Sequence, residues 1–232
     1  MRSATRPALM LLACTVSRPL LAQGGPVVIA VLPFEDRGSY GQDKQIFRAL
    51  ELGIPATLES ELRGHAGLRL AERSRIAQAV SKEPPDHSTR LDAATAAKLG
   101  KQLGARYVVT GSFADFYGKL RLDARVVDAE SGQILKVVSN NDPKLQDRAD
   151  LYRIIQMVAH RVLEVTSPEA LRSGVDSERA VIPTEAITQF SLGLLYESQG
   201  DKSKAGEHYQ RALSSYPDYP DAQEGLRRLR SS

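Results

Sequence analysis

The stretch from Gly104 to Asn140, GARYVVTGSFADFYGKLRLDARVVDAESGQILKVVSN, decides the fold. Within it Leu120, Leu122, Ala124 and Val126 alternate with Arg121, Asp123 and Arg125, the period-two pattern of a strand with one buried and one wet face. Upstream, Tyr107, Val109, Gly111 and Phe113 form one face of a second strand, and Val108, Thr110, Ser112 and Ala114 form the other. Tyr117-Gly118-Lys119 is a short turn between the two, and residues 128–132 (DAESG) make a longer hairpin loop before a third strand over 134–138. The result is three antiparallel strands, on which the rest of the first 166 residues is expected to pack.

Moving towards the N-terminus, residues 91–103 are Ala-rich and helical, with Gly104 placed to stop the helix. Leu68 to Ala71 is a short strand, and Ser74 is placed to cap a short helix running to Val80. Residues 83–89 (EPPDHST) form a loop by composition. Ile46, Leu50, Ile54, Leu58 and Leu62 recur every four residues and predict an amphipathic helix. Gly53 and Pro55 interrupt it, so either the helix kinks or a second helix begins there. VVIAVLPF, residues 27–34, is a continuous apolar run and predicts a strand buried on both faces under helices. Beyond the meander, Leu151, Ile154, Ile155, Val158 and Val162 mark a helix over about 147–165. The order β-α-β-α-α-β-β-β-α predicts an α/β (α+β) domain: a mixed sheet with a C-terminal antiparallel meander packed by helices, spanning 24–166.

The first residues read as an export leader. Arg2 and Arg6 precede the mostly apolar residues 8–16. Two processing sites compete. One lies after Ala22, giving a leader of 1–22. The other lies after Ala13, where Leu11-Leu12-Ala13-Cys14 resembles a bacterial lipobox and makes Cys14 a lipidation candidate. The formal charge is +3, but Arg2, Arg6 and Arg18 lie in the leader; without them 28 basic residues balance 28 acidic ones. That balance excludes a nucleic-acid partner read from charge. Cys14 is the sole cysteine, so the folded part has neither a disulfide nor a thiolate nucleophile.

Residues 29–34 (IAVLPF) before Glu35-Asp36, Leu70-Ala71-Glu72-Arg73, Ala97-Lys98-Leu99-Gly100 leading to Leu103-Gly104-Ala105, residues 107–112 (YVVTGS), and Arg125-Val126-Val127-Asp128 with Ser131-Gly132 together resemble the CsgG/TolB-N-terminal-like family of bacterial envelope proteins. The resemblance covers about residues 27–165. It implies a periplasmic or outer-membrane location and assembly work rather than catalysis; the best-known relative secretes curli fibres through an oligomeric pore.

Residues 167–179 (SPEALRSGVDSER) are polar and contain Gly and Pro, which predicts a linker over 167–182 and argues against rigid docking of the segment beyond it. In 183–232, Leu192, Gly193, Tyr196, Gly200, Ala205, Tyr209, Ala212 and Pro217 resemble the tetratricopeptide pattern at its spacings, with Phe190 beside Gln189, where a large aromatic is usual. Phe190, Leu192, Gly193, Tyr196, Ala205, Tyr209, Ala212 and Pro217 are thus the expected framework of a small all-α, tetratricopeptide-like module. The face carrying Ile187, Phe190 and Leu194 needs cover, from the α/β domain, a second copy or a partner. Residues 221–230 predict a further helix, with Arg227, Arg228 and Arg230 on a solvated face.

His65, His87, His160 and His208 lack ligand spacing, which excludes a metal centre read from pattern. No Gly-rich phosphate loop succeeds the first strand. Asp115, Asp123 and Asp128 are expected to pair with arginines, and Glu59 and Glu61 to be helix-surface acids. Catalytic, cofactor and metal residues are therefore expected to be none. The favoured reading is a non-enzymatic adaptor of the periplasm, attached to the outer membrane if Cys14 is lipidated. It binds envelope proteins or itself through the tetratricopeptide unit. A subunit of a curli-type secretion channel ranks second, because residues 104–140 leave no spare hairpin pair for a pore, and an enzyme ranks last.

Overall fold

The computed structural model describes residues 25–41, 43–82, 91–139, 145–172 and 180–231. Cys14, both processing sites, the loop 83–89 and residues 173–179 of the expected linker lie outside them.

A mixed sheet runs in the order β2-β1-β3-β4-β5. β1 (Val27–Asp36) pairs in parallel with β2 (Leu68–Leu70) and with β3 (Tyr107–Phe116). β3, β4 (Lys119–Asp128) and β5 (Ile134–Ser139) form the antiparallel meander. A two-residue strand, β6 (Gln146–Asp147), pairs with the start of β4 beside β5. No period marked it, because two residues carry no alternation.

The central run is covered on both sides, as its unbroken hydrophobicity required. Ile29, Val31 and Phe34 of β1 join Val109, Phe113, Leu120, Leu122, Ala124 and Val126 in the larger core, under α1 (Lys44–Leu62) and α4 (Leu151–Thr166). Ala30 and Leu32 face the other way, onto α2 (Arg73–Val80) and α3 (Ala93–Leu103). β3 and β4 therefore lie inside the sheet of the domain itself. α3 starts on Asp92, whose side chain accepts from the Thr95 N–H, and ends at Gly104, which takes the left-handed conformation. α2 begins two residues earlier than Ser74 would cap it; Glu72 occupies the cap position without a side-chain bond. α4 starts later than expected, after a 3-10 turn at Arg148–Asp150 in which the Asp147 side chain accepts from the Ala149 N–H.

α1 is one helix through Gly53 and Pro55. Pro55 has no N–H, so the Glu51 carbonyl loses its helical donor. Gly53 has a different reason to be there. α6 (Thr184–Ser198) crosses α1 so closely that a Cβ on Gly53 would stand 2.5 Å from the Ser191 Cβ and 3.2 Å from its Cα. No side chain fits between the two helices at that point.

The C-terminal helices thus do not hang from a loose tether. After α5 (Pro168–Arg172), α6 lies on α1, and the Thr184 hydroxyl donates to the Arg148 and Ala149 carbonyls at 3.1 and 2.8 Å. α7 (Lys202–Ser215) and α8 (Pro220–Ser231) complete the layer. Ile187, Phe190, Tyr209 and Tyr219 share one continuous core with the sheet and with α1. The expectation against rigid docking, drawn from the polar residues 167–179, is corrected here: composition shows that a segment is polar, not what the helix beyond it meets.

Candidate functional site: a cleft between the sheet layer and the C-terminal helices

The side chains singled out in the C-terminal region mostly point inward. Phe190, Leu192, Gly193, Ala205, Tyr209 and Ala212 are buried, while Pro217 is exposed just past the end of α7. Tyr209 is the centre. Its ring lies against Gly193 of α6 and Gly225 of α8, with 2.7 Å between the ring and where a Cβ on Gly225 would stand. Phe190 sits 5.9 Å from the Tyr209 ring and 5.1 Å from that of Tyr219, as tilted pairs. Tyr219, absent from the expected framework, is fully buried against Phe190. Tyr196, expected in the framework, is half-buried, stacked on His208 at 5.2 Å under the Lys204 ammonium, and its hydroxyl accepts from the Gln45 amide. The signal for Tyr219 was its place between Pro217 and the start of α8, where a turn brings a side chain back over the hairpin.

Two ion pairs hold helices together, one between α1 and α2 and one within the C-terminal layer, and they revise the surface roles expected for Glu59 and Arg228. Glu59 on α1 is 4% exposed and accepts from the Arg73 guanidinium on α2, which also donates to the Ala56 carbonyl at 3.1 Å. Burial pushes the Glu59 carboxyl above the usual carboxylate range, against the opposing pull of Arg73. Arg228 on α8 donates to Glu197 on α6 at 2.9 Å, and the Tyr209 hydroxyl donates to the same carboxylate. Burial works against ionisation of Glu197, yet the bonds from Arg228 and Tyr209 prevail and hold its carboxyl below the usual range. Glu61 likewise accepts from the Tyr152 hydroxyl at 2.8 Å. The aspartates of the meander are paired as expected: Asp123 with Arg121 at 2.8 Å, Asp128 with Arg106 at 2.8 Å and Asp115 with Arg148 at 3.2 Å.

Between these two pairs a cleft of about 900 Å³ opens. Its floor is apolar: Val31 and Pro33 of β1, Leu52, Pro55 and Ala56 of α1, Ile76 and Ala77 of α2, Leu194 of α6. Glu59, Arg73, Glu197 and Arg228 stand on its walls. A second cavity of about 430 Å³ shares Glu59, Glu72, Arg73 and Arg228 with it and continues along β2 to Arg69. Such a surface offers apolar contact flanked by charges of both signs, four of which are tied up in the two pairs that hold helices, an arrangement that suits binding.

No known family model matches the chain, and no curated protein matches it. Solved structures do. The C-terminal domain of LpoB from Escherichia coli is 18% identical, with a TM-score of 0.37, covering 52% of this chain and 86% of that one. Lipoprotein GNA1162 from Neisseria meningitidis is 17% identical, with a TM-score of 0.39, covering 59% of this chain and 96% of that one. TolB from Acinetobacter baumannii, which bears one of the two names in the sequence resemblance, is 15% identical with a TM-score of 0.34, covering 72% of this chain and 30% of that one. Likeness at this level carries no argument about what the chain does.

Proposed function

We propose that the protein is a non-enzymatic adaptor of the bacterial envelope, exported by its leader and held at the outer membrane where Cys14 is lipidated. It binds an apolar side chain of a partner protein in the cleft between α1, α2, α6 and α8. The observation that carries the reading is that cleft: about 900 Å³ over an apolar floor, with the Glu59–Arg73 and Glu197–Arg228 pairs on its walls. The envelope address rests on the leader and on the CsgG/TolB-N-terminal-like resemblance of residues 27–165. The tetratricopeptide resemblance of residues 186–219 supports a helical hairpin that shapes one wall; its framework side chains other than Tyr196 and Pro217 are buried and form the wall's backing. No described helix is long and apolar enough to cross a membrane.

Ala77 is exposed on α2 and faces the cleft, so Ala77→Trp fills it without disturbing the core. Affinity capture from the envelope should recover a partner with the wild-type protein and lose it with Ala77→Trp, the circular dichroism spectra being the same. Retention of the same partner by the filled variant, or failure of the wild type to recover one, refutes the reading.

A further inference from the structure

The sheet also ends on β5, at the edge opposite the cleft, and no described strand pairs with its outer side. An unpaired edge offers a row of N–H and C=O groups that templates another strand. Two common defences are present: the register shift between Val126 and Val127 places a bulge at Leu135, and Lys136 stands mid-strand. Yet Ile134, Leu135 and Val137 are 45%, 41% and 59% exposed. Three apolar side chains in water on one short edge are what protection against pairing would remove.

A groove of about 730 Å³ runs between this edge and α4. Its helical wall is Arg153, Met157 and Arg161, one side chain per turn. Residues four apart on a helix are separated by about 6 Å along its axis. Residues two apart on a strand, which share a face, are separated by about 6.6–6.8 Å. A strand added to β5 would therefore set three successive groove-facing side chains against those three in register. Cation, thioether, cation on the wall calls for acid, apolar, acid on the strand. Lys136 lines the same groove and adds a third cation. The acids already present are engaged: Asp150 with Arg153 at 3.7 Å, Glu164 with Arg161 at 2.9 Å, and Asp147 with Lys119 at 3.0 Å. These are pairs held weakly against water, so an incoming carboxylate can take them over.

We infer that the β5 edge takes up an extended segment of another protein with the pattern acid-x-apolar-x-acid, as an added strand. A second copy of this chain fits poorly. Two β5 strands related by a two-fold axis would bring their Lys136 cations towards each other. In the whole sequence the one pair of acids four apart is Glu197 and Asp201, and the residue between them is Gln199, which is not apolar.

The probe is a fluorescein-labelled heptapeptide with Asp, Val and Asp at its second, fourth and sixth positions and Thr elsewhere. Fluorescence anisotropy should show saturable binding to the whole chain, and amide shifts in a titration should centre on β5. Replacing both Asp by Lys should weaken binding about tenfold or more, and Arg153→Glu with Arg161→Glu should reverse that preference. Both arginines are exposed, so the double variant keeps the fold. Absence of saturation at millimolar peptide, equal binding of the Asp and Lys peptides, or shifts centred elsewhere overturns the inference. So does a wild-type dimer that Val137→Lys dissociates, which would assign the edge to a second copy.

Discussion

Gly53→Ala tests the crossing of α1 and α6 with a single methyl group. Taken alone, Ala in place of Gly inside a helix gains about 1 kcal/mol from propensity. Here the methyl would fall 2.5 Å from the Ser191 Cβ and 3.2 Å from its Cα. The Ser191 hydroxyl can rotate away, giving up its 2.6 Å bond to the Ile187 carbonyl, but the Cβ cannot. The helices must separate, and overpacking of this kind costs about 1–3 kcal/mol, with roughly another 1 kcal/mol for the lost hydrogen bond. The net expectation is a destabilisation of about 1–3 kcal/mol, or a fall of roughly 2–12 °C in Tm for a chain of this size. In a Ser191→Gly background the nearest obstacle is the Cα at 3.2 Å, a contact that a shift of a few tenths of an ångström relieves. The sign should then reverse, and Gly53→Ala should stabilise by up to about 1 kcal/mol. Urea unfolding of the four proteins in the cycle, monitored by far-ultraviolet circular dichroism, measures the coupling. An equal effect of Gly53→Ala in both backgrounds would refute the docking of the C-terminal helices on α1.

Glu59→Gln should be neutral or stabilising at pH 7 by urea unfolding, since burial already raises the carboxyl, whereas Arg73→Met, which leaves that carboxylate buried alone, should cost about 3–5 kcal/mol. Because the folded-state pKa of Glu59 is raised above its unfolded value, its favourable contribution is present at acid pH and is lost as pH rises through the folded pKa. Removing the group in Glu59→Gln should therefore improve Tm more at pH 7 than at pH 4. Glu197 is lowered, so its contribution is present above the unfolded value and lost as pH falls through the folded one; Glu197→Gln should lose more Tm at pH 7 than at pH 3. Tyr209→Ala should cost about 3–5 kcal/mol, and Tyr209→Phe about 1–2 kcal/mol through the bond to Glu197, both read from urea midpoints.

The meander was legible because its strands keep one face wet: Arg121, Asp123 and Arg125 write the alternation into the sequence. β1 was legible for the opposite reason, being covered on both faces. α1 was half legible. Its large residues, Ile46, Leu50, Ile54, Leu58 and Leu62, mark the stripe that meets the sheet. The stripe under α6 is made of Ala49, Gly53 and Ala56, too small to register as hydrophobic, and it carries a buried Glu59. A close helix crossing selects small residues, so the tighter the contact, the weaker its trace in a hydropathy pattern. The same holds for the cleft. Ala56 and Ala77 carry no chemistry to notice, and the Arg228–Glu197 pair joins residues 31 apart on different helices. Arg228 reads as solvated until α8 is placed against α6.

That the last helices close over the first has a consequence in time. α1 leaves a ribosome or an export channel more than a hundred residues before α6 does. Throughout that interval the sheet can assemble from β1, β3, β4 and β5, while the flank of α1 around Ala49, Gly53 and Ala56 stays uncovered. Contacts between such distant parts of a chain form slowly, and an apolar flank that waits is open to premature association. The early chain therefore has a period of exposure that ends only when its C-terminal helices arrive, and a chain cut before residue 184 would carry that exposure permanently.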